Sequence, residues 1–277
     1  MTKMKKVIFF GNGPLADYAL AVIERECQVV FHARTREDLE EVKKIKREIS
    51  EAHGILASFG VMIKPDVLEL FEPEGILNIH PSLLPVYRGA SPIESAILAG
   101  DVDFSVSVMK LVKAMDAGPV YYQTALTGAE IAHMVGVDLI SGIIPPKLAI
   151  YQALAETGAK WIVSHLGDLP EPVAQDDSKA TFCGKLEKSM GELSPETDTA
   201  EMTFRKIVAY QGFPKPKYAF CGVKCIILEA HILKPGETAL LTIPCADGVY
   251  VAVDRLQPEG RKPMDAKSFI NGYGKQN

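Results

Sequence analysis

The sequence predicts an α/β protein with a doubly wound, mostly parallel sheet in its first half and a small β-barrel or sandwich in its last ~80–90 residues. Three observations predict it. Short apolar runs alternate with helical patterns through the first half of the chain. A stretch rich in Gly, Pro, Asp and Ser (LGDLPEPVAQDDSKAT, Leu166–Thr181) then interrupts the pattern. Beyond it come short β runs separated by turn residues. This order divides the 277 residues into a first domain over 1–165, a linker over 166–190 and a second domain over 191–277.

The elements follow one by one. Lys6–Phe10 is an apolar strand that ends in Gly11-Asn12-Gly13 and opens a helix through Ala16, Ala19, Leu20 and Ile23. Cys27–His32 is the second strand, and Thr35-Arg36-Glu37-Asp38 forms a capping box before a helix carrying Leu39, Val42, Ile45 and Ile49. Further strands are expected at Gly54–Phe59, Gly75–His80, Ser105–Val112 and Val120–Ala125. Glu130–Trp161 turns helical, and Pro145-Pro146 divides it into two helices. After the linker, one helix spans Glu201–Gln211, and β runs follow at Ala219–Leu228, Ala239–Pro244 and Val249–Val253. Turn signals at Pro235-Gly236-Glu237 and Asp247-Gly248 separate them.

Composition narrows the function classes. With 47% hydrophobic and 23% charged residues the chain is neither disordered nor collagen-like. No stretch approaches the ~20 apolar residues of a bilayer span. Five cysteines without paired spacing argue against a secreted disulfide framework. The VIFF run near the start is too short for a signal-peptide core. The expectation is a cytoplasmic protein with reduced thiols and no membrane contact. The net charge of −5 hides an asymmetry: residues 1–177 carry 16 Lys/Arg against 24 Asp/Glu (−8), and residues 178–277 carry 14 against 11 (+3). A basic second half suits a polyanionic partner, although scattered surface charge reads the same way.

Two motifs invite chemistry and yield little. Gly11-Asn12-Gly13-Pro14-Leu15-Ala16 has the position of a dinucleotide fingerprint, but the second strand ends His32-Ala33-Arg34 without the acid that grips a ribose. Arg34 suits a 2′-phosphate; a tight strand-to-helix turn explains the glycines equally. Cys221 and Cys225 have hairpin spacing for zinc, with Cys245 and His231 further on, but no second ligand pair is properly spaced. Core packing is the expectation, and no metal.

The richest stretch is Leu77-Asn78-Ile79-His80-Pro81-Ser82-Leu83-Leu84-Pro85. Asn78 and His80 alternate at the carboxyl end of a strand, so their side chains share a side, where open α/β sheets place their ligands. An amide donor beside an imidazole holds a developing oxyanion, and the imidazole moves protons. Leu83 and Leu84, between Pro81 and Pro85, can wall a planar ligand. Asp116, in the turn Met115-Asp116-Ala117-Gly118-Pro119, can reach a neighbouring strand end and fix the tautomer of an imidazole. A turn after a buried strand and an ordinary Gly-Pro turn are the plainer readings of the same residues.

NIHPSLLPVYRGASPI followed by MDAGPV resembles the folate-dependent formyltransferase family, whose active site combines an Asn-x-His pair, an SLLP loop and an Asp some thirty-odd residues later. QDDSKATFCGKLEKSMGELS and LQPEGRKPMDAKSFINGYG resemble the linker and C-terminal barrel of the branch that acts on methionyl-tRNA. The resemblance implies a Rossmann-like catalytic domain, an OB-like barrel, and transfer of a formyl group from 10-formyltetrahydrofolate to the α-amino group of initiator methionyl-tRNA. It implies catalytic roles for Asn78, His80 and Asp116 and a folate site at Ser82, Leu83, Leu84 and Pro85. No metal is needed, because the formyl donor is already an activated amide. The tRNA would be held by phosphate contacts. Arg88 would serve the acceptor end, with Lys185, Lys188, Arg205, Lys206, Lys215, Lys217 and Lys224 in the basic second half. A monomer is expected.

The chain also departs from the family. Thr35–His53 leaves room for one helix only, where members usually carry an extra strand and a basic loop that grips the acceptor stem. The family's Trp-Pro-Gly turn appears as Phe213-Pro214-Lys215. Alternatives remain open. One is another amine acceptor, an amino-sugar nucleotide or glycinamide ribonucleotide, although the purine enzyme normally lacks the barrel. The others are a nicotinamide-dependent oxidoreductase using Gly11–Ala16 and a non-catalytic RNA-binding relative.

Overall fold

The computed structural model describes residues 4–140, 142 and 144–274, so the outermost residues of the two expected domains lie outside the described residues. The first stretch runs β1 (Lys5–Phe10), α1 (Pro14–Glu26), β2 (Cys27–Ala33), α2 (Asp38–Glu48), β3 (His53–Leu56), α3 (Pro65–Leu68) and β4 (Ile76–His80). It continues with β5 (Arg88–Gly89), α4 (Pro92–Ala99), β6 (Asp103–Lys110), β7 (Val120–Thr127), α5 (Gly128–Val135), α6 (Lys147–His165) and β8 (Phe182–Cys183). The remainder is α7 (Ala200–Ala209), β9 (Lys217–Phe220), β10 (Val223–Ile232), β11 (Thr242–Pro244), β12 (Tyr250–Pro258), β13 (Met264–Asp265) and α8 (Ala266–Tyr273).

The chain separates into two compact units. The first holds Met1–Ile93, Asp103–Val137 and Leu148–Gly184; the second holds Glu94–Val102, Asp138–Lys147 and Lys185–Asn277. Residues 166–184 of the expected linker therefore group with the first unit, because they are hydrogen-bonded to it. Val120 and Val173 exchange two backbone bonds of 2.8 Å, and β8 pairs in parallel with β5.

The first unit is built on a six-stranded sheet in the order β2-β1-β3-β4-β6-β7. β2, β1, β3 and β4 are parallel, and β6 and β7 form an antiparallel hairpin beside β4. The mostly parallel expectation holds for the four strands joined by helices. The last two are joined by the short turn that carries Asp116, and only an antiparallel pair can close that way. Val7, Ile8, Phe9 and Phe10 are fully buried in succession, as a central strand covered on both faces requires. One helix, α2, fills the interval between β2 and β3. Its expected capping box forms only in part: Oδ2 of Asp38 accepts from the amides of Arg34 and Thr35, but the helix starts from Glu37 without a side-chain cap. The full box appears at α5, where Thr127 and Glu130 cap each other.

The second unit carries a five-stranded antiparallel sheet, β11-β12-β10-β9 with β13 on β12, curled into a half-barrel as the expected small barrel-like domain requires. Phe204, Ile207 and Val208 of α7 and Phe269 of α8 are buried in this unit. The run read as one strand over Ala219–Leu228 is a hairpin broken at Cys221-Gly222, with φ of 49° and 73°. Positive φ at both positions is the type I′ turn, whose twist matches that of the flanking strands, and Gly222 adopts it without cost. A buried ion pair also lies here: Nζ of Lys147 donates to Oε1 of Glu94 at 3.1 Å and to the carbonyl of Ala209 at 2.7 Å. Burial holds this ammonium below the ordinary lysine value despite the Glu94 charge.

On β10, His231 stands between two carboxylates, 2.8 Å from Asp254 and 3.2 Å from Glu237. Burial pulls its pKa down, but the hydrogen bonds and charges of Asp254 and Glu237 outweigh it and raise the value above the ordinary 6.5. The folded ring thus holds its proton more tightly than the unfolded chain. Its contribution to stability is full below 6.5 and is lost as the pH rises through the higher folded value. Denaturation from about pH 5.5 to about pH 8.5 should show this loss, worth no more than ~1 kcal/mol, and His231→Gln should remove it.

Candidate active site

The site grows from the carboxyl end of β4. Inserted between β3 and β6, this strand is buried throughout, and its alternation sends Asn78 and His80 to one side. Asn78 is 5% exposed, and among the described residues its side-chain amide has no hydrogen-bond partner. An unpaired buried amide costs about 1–3 kcal/mol, and towards the end of a strand it is a candidate donor to a ligand.

His80 is oriented by the backbone. Nε2 donates to the carbonyl of Tyr87 at 3.0 Å, which places the proton of the neutral ring on Nε2 and leaves Nδ1 as the free base. Nδ1 faces Oδ2 of Asp116 at 3.8 Å, beyond hydrogen-bond distance and close enough for strong Coulomb attraction to a charged ring. The sequence reading has Asp116 fix the tautomer; in the structure Tyr87 makes that bond. No side-chain pattern signals a carbonyl seven residues downstream.

Asp116 and Tyr87 are both held in the left-handed region, at φ of 48° and 57°. That conformation costs a bulky residue such as Tyr87 about 1–3 kcal/mol, and such strain gathers at functional sites. Oδ2 of Asp116 accepts from the Gly89 amide at 2.8 Å. Gly89 is glycine for a steric reason: at φ 127° a Cβ would lie 2.0 Å from the Cys183 carbonyl of β8.

The loop after β4 rests on two side chains that the sequence reading missed. Ser107, fully buried and in register with His80 across β6, donates to the Ser82 carbonyl at 2.5 Å and accepts from the Leu84 amide at 3.1 Å. Gln123 of β7 donates to the Leu84 carbonyl at 2.7 Å and to Ser107 at 2.9 Å. Ser82 folds its hydroxyl onto the Val86 carbonyl. Leu84 is buried in a small cluster with Met109 and Val120, and Leu83 stays 46% exposed. Beside Pro85, the Ser82–Leu84 turn thus has polar groups held by Val86, Ser107 and Gln123 and an apolar side chain turned outward.

Arg88, expected at the acceptor end of a tRNA, is 4% exposed. Its guanidinium is spent on Gln175 at 3.0 and 2.7 Å and on Asp177 at 2.7 Å, so it organises the loop rather than offering a surface cation. In the second unit, Lys185, Lys188 and Lys215 are exposed and have no acidic partner among the described residues. Arg205 pairs with Glu201 and Lys206 with Asp198, while Lys217 and Lys224 share Glu192. Those four cations are partly neutralised where they stand.

Among the described residues no group of three or more His, Cys, Asp or Glu is placed to hold a metal ion. Cys225 is buried, and burial pushes its thiol up to about 11, away from the thiolate a metal takes. Nor is any helix among the described residues long and apolar enough to cross a membrane.

Residues 12–133 match the model of the formyl transferase family, and residues 185–274 that of the formyl transferase C-terminal domain. A methionyl-tRNA formyltransferase of Dehalococcoides mccartyi is 32% identical over 79% of this chain and 69% of its own length. Among solved structures, a methionyl-tRNA formyltransferase from Clostridium thermocellum superposes with a TM-score of 0.63 at 15% identity, covering 92% of this chain and 99% of that one. HypX from Aquifex aeolicus in complex with tetrahydrofolic acid gives a TM-score of 0.69 at 17% identity over 99% of this chain and 48% of that one.

Removing the Ser107 hydroxyl strips the Leu84 amide of its acceptor in a fully buried position. Ser107→Ala should lower stability by about 1–3 kcal/mol in chemical denaturation, with the unfolding slope unchanged.

Proposed function

The chain belongs to the formyl transferase family, and from that premise we propose that it transfers a formyl group from 10-formyltetrahydrofolate to the α-amino group of initiator methionyl-tRNA. The observation that carries the reading is the buried, unpartnered amide of Asn78, two residues from His80 and on the same side of β4. Relatives named for this reaction cover most of the chain. The second unit matches the family's C-terminal domain, which supports an acceptor larger than a free amine.

The folate donor supplies a formyl carbon bonded to an electron-poor nitrogen, already open to attack by an amine. Ser82, Leu83, Leu84 and Pro85 would hold its planar ring, with exposed Leu83 as the apolar contact and the Ser107–Gln123 network keeping the loop rigid. Such a wall excludes water and lets the transfer compete with hydrolysis.

The amide N–H of Asn78 would donate to the formyl oxygen as negative charge builds there. His80 would add a second donor from Nδ1, the nitrogen left free by Tyr87, once the ring is protonated. Asp116 lies 3.8 Å from that nitrogen and would stabilise the imidazolium. Gly89 occupies one carboxylate oxygen, leaving the other to take the proton shed by the attacking amine, directly or through a water. As the oxyanion collapses, the bond from the formyl carbon to the folate nitrogen would break, and that nitrogen would take a proton from the same acid–base pair, releasing tetrahydrofolate. None of these steps calls on a metal.

Of the candidate contacts, the acceptor's phosphates would meet Lys185, Lys188 and Lys215, which have no acidic partner among the described residues, before the neutralised ones. The single helix α2 fills the interval where the family resemblance implies a basic loop, and its first turn holds Asp38, Glu40 and Glu41. The acceptor stem would therefore be gripped outside that interval.

Transfer of labelled formyl from 10-formyltetrahydrofolate to charged initiator tRNA tests the reading directly, with elongator methionyl-tRNA as control. Asn78→Ala, His80→Ala and Asp116→Ala should each fold and lower turnover at least ~100-fold. Full activity in two of them would sink the assignment, and folate binding without transfer would point to another amine. Lys185→Ala with Lys215→Ala should weaken tRNA binding and flatten its dependence on log salt by about one unit per lost contact, leaving folate affinity unchanged.

A further inference from the structure

We infer that Gln175 is a positioning residue that fixes Asp116 against His80, making the segment before the second unit a working part of the catalytic apparatus. The inference rests on the formyl-transfer reading for its kinetic test. Its structural basis is the saturation of one side chain. The Gln175 amide nitrogen donates to the carbonyls of Asp116 at 2.8 Å and Gly118 at 2.7 Å, and its oxygen accepts from Nε and Nη2 of Arg88 at 3.0 and 2.7 Å. Only one orientation of the amide satisfies two carbonyls on one side and a guanidinium on the other, so the roles of its two ends are unambiguous.

These bonds reach the residue whose placement matters most. Asp116 sits at φ 48°, and Gln175 holds the carbonyls on both sides of Ala117. The other end of Gln175 grips Arg88, the neighbour of both Tyr87 and Gly89. Tyr87 orients the His80 ring through its carbonyl, and Gly89 binds the Asp116 carboxylate through its amide. One side chain thus spans the two loops that carry the general acid–base pair. The surrounding segment is stitched down at both ends: Val173 to Val120, and Thr181 to Pro85, Tyr87 and Arg88. Gln175 lies between these anchors, and freeing it would leave the segment attached while releasing the Asp116 turn.

The test measures formyl transfer by Gln175→Met and Gln175→Glu, each alone and combined with Asp116→Ala. Methionine keeps the length and removes all four bonds; glutamate keeps an acceptor for Arg88 and removes the two donations to the turn. Both should lower kcat by about 10- to 100-fold, the cost of misplacing a reacting group by a fraction of an ångström to an ångström. KM for the donor and the affinity for tetrahydrofolate should stay within about twofold, and the pH profile of kcat should shift because the environment of His80 changes. Without the Asp116 carboxylate, the Gln175 substitutions should cost less than about threefold more. Losses that multiply in full with Asp116→Ala, or an unchanged kcat in Gln175→Glu, overturn the inference, since Gln175 would then only secure the segment. Should the methionine variant fail to bind folate, the glutamate variant, with its Arg88 contact intact, decides the matter. If the unaltered enzyme transfers no formyl group, the functional reading has failed, and nitrogen resonances of the His80 ring provide a separate readout. Altered His80 ring resonances in the uncharged Gln175→Met support the positioning role, and identical ones overturn it.

Discussion

A single hydrogen bond, from the Gly89 amide to the Asp116 carboxylate at 2.8 Å, joins the loop that follows β4 to the turn between β6 and β7. The candidate site depends on it. β4 delivers Asn78 and His80, while the hairpin delivers Asp116, and the backbone alone sets no distance between a side chain on one and a carboxylate on the other. The bond requires a backbone N–H aimed at the turn, and the close approach of β8 makes that residue glycine. β8 belongs to the segment that also carries Gln175 and Thr181, so the site is assembled from three separated parts of the chain.

The site holds features that weaken a fold. A buried amide lacks a partner, and two non-glycine residues sit at positive φ. What offsets them lies next to them: the saturated Ser107–Gln123 network beneath the loop and the Arg88–Gln175–Asp177 chain beside it. Local destabilisation confined to reacting groups and surrounded by fully paired polar groups is how a preorganised site differs from a poorly packed one. The same distribution explains why Arg88 is buried. A guanidinium with five donors in a fixed fork can tie an amide and a carboxylate together in one plane, which a lysine in its place could not.

Charge in the second unit follows a similar logic. Its surplus of cations suggests a polyanion, but pairing with Glu192, Glu201 and Asp198 removes several of them from long-range effect. The field a large anion would meet is set by the exposed cations without an acidic partner among the described residues, Lys185, Lys188, Lys215, Lys234, Arg261, Lys262 and Lys267, more than by the formal sum.

Helices α3, α4 and α8 were not legible in the sequence; the strands of the six-stranded sheet, the single helix between β2 and β3, and the candidacy of Asn78, His80 and Asp116 were. Each legible feature depends on local periodicity, turn chemistry or a compact motif, and these act between residues close in the chain. The hairpin at Cys221-Gly222 was not legible, because Cys-Gly lacks the familiar Asn-Gly turn signal and the flanking residues read as one β run. Nor were the roles of Tyr87, Ser107, Gln123 and Gln175, which act through bonds to backbone or side-chain atoms brought together only by folding. Arg88 shows the difference most plainly. Its sequence neighbours make it a candidate surface cation, while burial against Gln175 and Asp177, nearly ninety residues away, makes it a brace. Local sequence determined most of the elements and the candidate groups of the site. Tertiary structure decided their separations and partners, because hydrogen bonds between distant segments leave no periodic trace in either one.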